Sequence, residues 1–323
     1  LPYIENFSAP LQNWAIVDDA GVSSSWQANG EYVQANFVGF NGGAMNGGYH
    51  LGSYSYLTTG SMLTDYKLTV TATSLAESAQ DVGVLVRLDP VTDSYVRLSF
   101  SGANSFGRLE LANGGVFAAL SKDARGVLPG QALDLEVRVS GPVIMAYRDG
   151  QLLYGAYEDG LTSGTVGLYC RDACEFDDLS IDEVPVAPAI AIASPVAYSI
   201  TPGTTLDVSA VVMNAPAGAT VEFDVPGESS PCGAVTETSP GLFSASCTLS
   251  GDGLYQLDAE LRDSGGALLD SDSRSNVGLG INYVSIGDSI TAGLDDPTAS
   301  DGVSDNGFVR GIQGYQATLN DLL

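Results

Sequence analysis

"DVGVLVRLDPVTDSYVRLSFSG", residues 81–102, decides how the first half of the chain reads. Its runs 82–89 and 95–101 alternate apolar with polar side chains at period two, which marks half-buried antiparallel strands rather than a helix. The same alternation recurs on both sides, in "EYVQANF" (31–37), "YKLTVTATS" (66–74), "LDLEVRVS" (133–140), "IMAYRDGQLLYGAY" (144–157) and "GTVGLYC" (164–170). Asn29-Gly30, Asn113-Gly114 and Asp149-Gly150 fall between runs and suit tight hairpins. Helical periodicity is almost absent from residues 1–183, so this stretch is expected to be a β-sandwich of many strands.

Taken in order, "YIENFSAPLQNWAIVDD", "SSWQANGEYVQ", "DYKLTVTATS", the opening stretch, "RLELANGG", "LDLEVRVSGPVIMAYRDGQLL" and "TSGTVGLYCRDACEFDDLSI" resemble the concanavalin-A-like, laminin-G-like jelly roll. The resemblance implies a module of the kind appended to secreted carbohydrate-active enzymes and esterases, with one sheet able to hold a sugar through aromatic stacking and hydroxyl bonding. Loops usually carry recognition, so the tract "GFNGGAMNGGYHLGSYSYL" (39–57) supplies the glycan candidates Tyr49, His50 and Tyr54. The alternative is a long loop that simply packs down. Trp14 and Trp26 are expected in the core. The family also implies a structural calcium joining the first and last strands, for which Glu5, Asp177 and Asp178 offer hard oxygen ligands. The alternative there is a set of solvated strand-end carboxylates.

Charge is lopsided, with Lys+Arg 12 against Asp+Glu 39, a formal −27, and Lys67 and Lys122 as the lysines. Such a field repels nucleic acid and anionic membrane surfaces. It suits a salty extracellular milieu, or serves only to solubilise. Cys170 with Cys174 and Cys232 with Cys247 form two close pairs without the spacing of a zinc or redox site, so two local disulfides are expected, with four buried thiols as the alternative. No apolar run reaches the ~18 residues of a membrane helix. The chain opens without a secretory n-region and h-region, which fits a product whose signal has been removed or was never part of it.

Residues 184–195 read as a semi-rigid proline-alanine linker, interrupted by Pro185, Pro188 and Pro195. A second module, 196–278, follows. "TTLDVSAVVMNA", "ATVEFDVPG", "GLFSASCTLS" and "GLYQLDAELRDSGGALLDSDSRSNV", with "AIAIASP" (189–195) ahead of them, are strands at the spacing of an immunoglobulin-like sandwich. They resemble the bacterial Ig-like domains used as spacers.

At 281 the pattern changes. "INYVSIGDS" (281–289) is apolar at nearly every position, as in a strand buried on both faces of a parallel sheet, and "FVRGIQGYQATLNDLL" (308–323) has helical spacing. Gly287-Asp288-Ser289-Ile290, at the tip of that strand, is similar to the first block of the GDSL or SGNH hydrolases, secreted esterases and carbohydrate acetyl-esterases. The resemblance implies that Ser289 is the nucleophile and an oxyanion N–H donor, with Asp288 part of the motif. A serine hydroxyl needs a base and an orienting acid. The chain's one histidine, His50, lies far upstream. In that family the glycine and asparagine of the oxyanion hole and the Asp-x-x-His pair come later, and are expected beyond Leu323.

The sequence therefore predicts a mostly β protein: jelly-roll sandwich (1–183), linker (184–195), Ig-like sandwich (196–278) and the start of an SGNH hydrolase domain as a first βα unit (279–323). The implied function is a secreted or cell-surface serine ester hydrolase with N-terminal binding modules for a carbohydrate or polymer surface, acting on an ester and needing no catalytic cofactor. The alternative is an extracellular surface or filament-forming binding protein that assembles through sheet edges or its C-terminal segment. Each missing oxyanion donor costs on the order of 100-fold in rate. This chain by itself is therefore expected to show no hydrolysis of p-nitrophenyl acetate that Ser289→Ala removes, as a spectrophotometric assay of the two proteins would establish.

Overall fold

In the computed structural model the described residues are 2–280, apart from 9–10, 12, 19–22, 37–51, 60–61, 78–80, 103–105, 115 and 230–231. The expected strand and helix of 281–323 lie outside them. The described residues contain twenty-three strands and no helix, in two compact units whose main division lies at Pro185/Val186.

Strands are numbered in chain order. The first unit has an eight-stranded sheet with the order β13 (Gln151–Tyr157), β12 (Val143–Arg148), β11 (Ala132–Ser140), β6 (Tyr66–Ser74), β15 (Cys174–Asp182), β4 (Tyr32–Gln34) and β3 (Trp26–Ala28). Its remaining strand, β1 (Tyr3–Glu5), pairs with β15. A seven-stranded sheet runs β10 (Val116–Asp123), β9 (Phe106–Asn113), β8 (Ser94–Ser101), β7 (Val82–Asp89), β14 (Thr165–Cys170), β5 (Ser53–Leu57) and β2 (Trp14–Asp18). The chain changes sheet between β1 and β2, β2 and β3, β4 and β5, β5 and β6, β6 and β7, β10 and β11, β13 and β14, and β14 and β15, giving a jelly-roll-type sandwich. Asp149 and Gly150 both have positive φ, as a two-residue hairpin turn of the primed type requires. Cys170–Cys174 ties the end of β14 to the start of β15 and so pins a crossover between sheets.

In β6 Tyr66, Leu68, Val70 and Ala72 are buried while their neighbours are half-exposed, the expected pattern of a strand with one wet face. β8 and β14 are buried at every residue, and β7 at all but its last. The half-buried reading of the runs 82–89 and 95–101 is thus corrected: their basic side chains are enclosed too, Arg97 paired with Glu110 and Arg87 donating to the carbonyls of Leu161 and Gly141. Trp14 and Trp26 pack among rings, with Trp26 4.8 Å from Tyr32 and Trp14 5.9 Å from Tyr32, and the Trp26 indole N–H donates to Ser53 Oγ at 2.8 Å.

The second unit has two four-stranded sheets. One runs β16 (Ala189–Ser194), β18 (Thr205–Met213), β21 (Leu242–Thr248), β20 (Thr236–Ser239); the other runs β17 (Ile200–Thr201), β23 (Leu268–Leu279), β22 (Gly253–Arg262), β19 (Thr220–Asp224). Ile190, Ile192, Leu206, Val208, Leu257 and Leu261 are among the residues of its core. Cys232 is bonded to Cys247 of β21, and no described cysteine is free.

The linker is shorter than the sequence suggested. Residues 189–194, placed at its end, form β16, since Pro188 and Pro195 flank the strand and leave its N–H groups intact. One edge of β16 bonds to β18. On its other side Asp270 Oδ2 accepts from the Ile190 N–H (2.9 Å) and Asp272 Oδ2 from the Ile192 N–H (2.7 Å), while Arg274 donates to the carbonyls of Ile192 (2.7 Å) and Pro195 (3.1 Å). Three alternate side chains of β23 thus serve as a substitute strand. Burial raises the Asp272 carboxyl above the usual range, against the pull of the Ile192 N–H and Arg274. Asp272→Ala should lower stability by about 1–3 kcal/mol by orphaning a buried N–H, read as a reduced denaturant midpoint.

Candidate functional site

Cross-strand register brings together one set of side chains on the seven-stranded sheet. Tyr54 of β5 lies opposite Tyr169 of β14, which lies opposite Gly83 of β7; Ser99 and Arg108 continue that row on β8 and β9. The next row holds Tyr56, Gly167, Leu85, Arg97 and Glu110. All share one parity, opposite to that of Val84, Val96 and Leu98, and so one face of the sheet.

That face carries an ionic chain. Arg97 Nη2 reaches Glu110 Oε2 at 2.7 Å, Arg108 Nε reaches the same oxygen at 3.1 Å, and Arg108 Nη2 reaches Asp81 Oδ2 at 3.1 Å. Arg171 Nη1 stands 3.9 Å from Asp81 Oδ1. Arg97 also lies over the Tyr169 ring at 4.3 Å, and Arg108 over Phe106 at 4.0 Å. Burial works against the Arg97 charge, but Tyr169 and Glu110 more than offset it and raise its pKa. The Tyr169 phenol is pushed up by its own burial, with Arg97 opposing. Tyr54, Leu85, Leu88, Tyr95 and Tyr169 form an apolar and aromatic cluster around this chain, with Tyr56 and Phe117 packed against it.

At one end of the same region a cleft of about 430 Å³ opens, with Tyr56, Thr58, Met62, Asp89, Val91 and Ser163 among its lining. Met62 and Val91 are 72% and 91% exposed, so its walls present apolar surface to water. Asp89 accepts from the Thr92 hydroxyl (2.8 Å) and the Val91 N–H (2.9 Å), and these bonds hold its carboxyl below the usual range. Among the described residues no cation lines the cleft. Its chemistry is one aromatic face, apolar walls, hydroxyls and a single ionised acceptor.

Of the sequence-derived candidates, Tyr54 lies on this face but is buried, its hydroxyl donating to Asp93 at 3.1 Å, so it is floor rather than platform. Tyr49, His50, Asp288 and Ser289 lie outside the described residues. Glu5 pairs in register with Leu179, and both of its oxygens are engaged, by the Tyr3 hydroxyl (2.8 Å) and the Phe7 N–H (3.0 Å). Burial, with Glu5 beside it, pushes the Tyr3 phenol up to about 12. Asp177 and Asp178 sit at a bulge of β15, and Asp177 Oδ1 accepts the Asp178 N–H at 2.8 Å. Among the described residues no three of His, Cys, Asp or Glu group as metal ligands. Arg97, Arg108, Glu110 and Asp81 were not singled out from the sequence, although charges at alternate positions of otherwise apolar strands, as in "RLEL" (108–111), are a readable signal.

No family profile and no curated protein matches the chain. Among solved structures, the chain is similar to carbohydrate binding module CBM66 from Bacillus subtilis, at 12% identity and TM-score 0.43, over 54% of this chain and 98% of that one. It is likewise similar to a protein of unknown function with a galectin-like fold from Bacillus subtilis (10% identity, TM-score 0.43, 56% and 94% covered). A Bacillus licheniformis beta-glucanase gives 10% identity and TM-score 0.43, with 57% and 98% covered.

Glu110 joins two guanidinium groups at the centre of the face. Glu110→Ala is expected to destabilise the fold by about 3–5 kcal/mol, the cost of stranding a buried charge, and denaturant unfolding followed by tyrosine fluorescence would measure it.

Proposed function

We propose that the first unit is an extracellular carbohydrate-binding module whose site is the cleft beside Tyr56. The observation that carries the reading is the pairing of a half-exposed tyrosine ring and apolar walls with Asp89, Thr58 and Ser163 in one opening. A sugar presents C–H patches together with a rim of hydroxyls, and this lining offers a partner to each. The cleft has the size of an ordinary small-ligand site. With one carboxylate and no cation among the described residues of its lining, it favours a neutral saccharide over an anionic one. The buried ionic chain beneath keeps the strand ends that carry Tyr56 and Asp89 in fixed register. The two local disulfides accord with an exported protein.

A second reading, that of a modular ester hydrolase, rests on Gly287-Asp288-Ser289-Ile290 alone. Labelling of Ser289 by a fluorophosphonate in a parent polypeptide that extends beyond Leu323, lost in Ser289→Ala, would support it. Absence of labelling would leave the binding module as the whole reading.

Affinity electrophoresis through gels containing a neutral glucan, fructan, galactan or mannan tests the first proposal. Tyr56→Ala is expected to weaken retention roughly 2- to 10-fold, and Asp89→Asn roughly tenfold or more, with the unfolding midpoint little changed. Unchanged retention in both variants would refute the cleft.

A further inference from the structure

Asn6-Phe7-Ser8 is the one place in the sequence where an asparagine is followed two positions on by serine or threonine, with a residue other than proline between. That spacing is the acceptor pattern for an asparagine-linked sugar, which has room only at the surface of an exported protein. The three residues follow β1 directly. Asn6 and Ser8 are exposed, while Phe7 between them is fully buried.

Phe7 pins the turn. Its ring stacks on Tyr32 at 5.3 Å, its N–H donates to Glu5 Oε1 at 3.0 Å, and its carbonyl accepts the Gly30 N–H at 2.9 Å. Its φ of +50° lies in the left-handed region and brings Ser8 back onto Asn6. The Ser8 hydroxyl (2.7 Å) and the Ser8 N–H (3.3 Å) both donate to Asn6 Oδ1. A backbone N–H can only donate, so it fixes which end of the amide is oxygen and turns Nδ2 away. Among the described residues Asn6 Nδ2 makes no hydrogen bond. Two donors on Oδ1 draw charge from the amide and acidify the Nδ2–H that has to be lost on substitution.

We propose that Asn6 is a glycosylation site, taking an oligosaccharide from a polyprenyl-diphosphate carrier through an oligosaccharyltransferase of the export pathway. Nδ2 attacks C1 of the first sugar, and the Nδ2–C1 bond forms as the C1–O bond to the carrier breaks. The diphosphate leaves with the electron pair, and one Nδ2 proton passes to a base of the transferase. Ser8 is a positioning residue in this step. The attached sugar also protects its surroundings. Ile4, two residues earlier, is 75% exposed, and among the described strands β1 pairs with β15 alone. A bulky polar group beside that edge opposes strand addition. The site does not rest on the reading of the Tyr56 cleft.

The test secretes the full chain through a pathway that holds the transferase and weighs both the intact protein and the peptide containing Asn6. The expected result is a mass above that of the residues alone, carried by this peptide and removed by peptide N-glycosidase with conversion of Asn6 to aspartate. Asn6→Gln and Ser8→Ala should each lose the increment, and Ser8→Thr should keep it, with the unfolding midpoints of the three variants close to one another. Rescue by threonine separates a hydroxyl that positions the amide from a serine that only packs. Should secretion fail, purified transferase and its polyprenyl-diphosphate donor are applied to the purified chain, and the same masses decide. Wild-type protein at its bare mass, or an increment that survives Asn6→Gln, overturns the proposal.

Discussion

Arg97 and Glu110 face each other across β8 and β9, with Arg108 sharing the same carboxylate oxygen and passing the contact on to Asp81. A seven-stranded sheet whose central strands are enclosed on both faces has to place its polar alternates somewhere, and an isolated charge there would be ruinous. Pairing across strands resolves this, since each guanidinium has a carboxylate within reach and two of them also stack on rings. The arrangement fixes register as firmly as an apolar core does, because a slip of one residue would invert every charge to the other face.

The Tyr56 cleft follows from that constraint. β5, β14 and β7 meet at the sheet end where the bulge between Val86 and Asp89 shifts the register of β7. A bulge bends its strand and re-aims the side chains beyond it. Asp89 and the turn after it consequently stand at the cleft beside Tyr56, where alternation in a regular strand would have continued.

The second unit applies the same economy to a sheet edge. β16 lies next to β18 on one side only, and Asp270, Asp272 and Arg274 occupy the other. Inward-pointing charges at an edge oppose further strand addition. They also explain how a segment rich in alanine and flanked by prolines is held as a strand.

Residue order alone determined the all-β character of the described residues, most strand positions and the two local cysteine pairs, because period-two alternation and turn chemistry are local properties. Only the tertiary structure decided that Arg97, Arg108, Glu110 and Asp81 are buried, that Tyr54 is floor, and that Asp270, Asp272 and Arg274 serve the free side of β16. Alternation says which residues share a side; it does not say whether that side meets water, since enclosure is set by what packs over it.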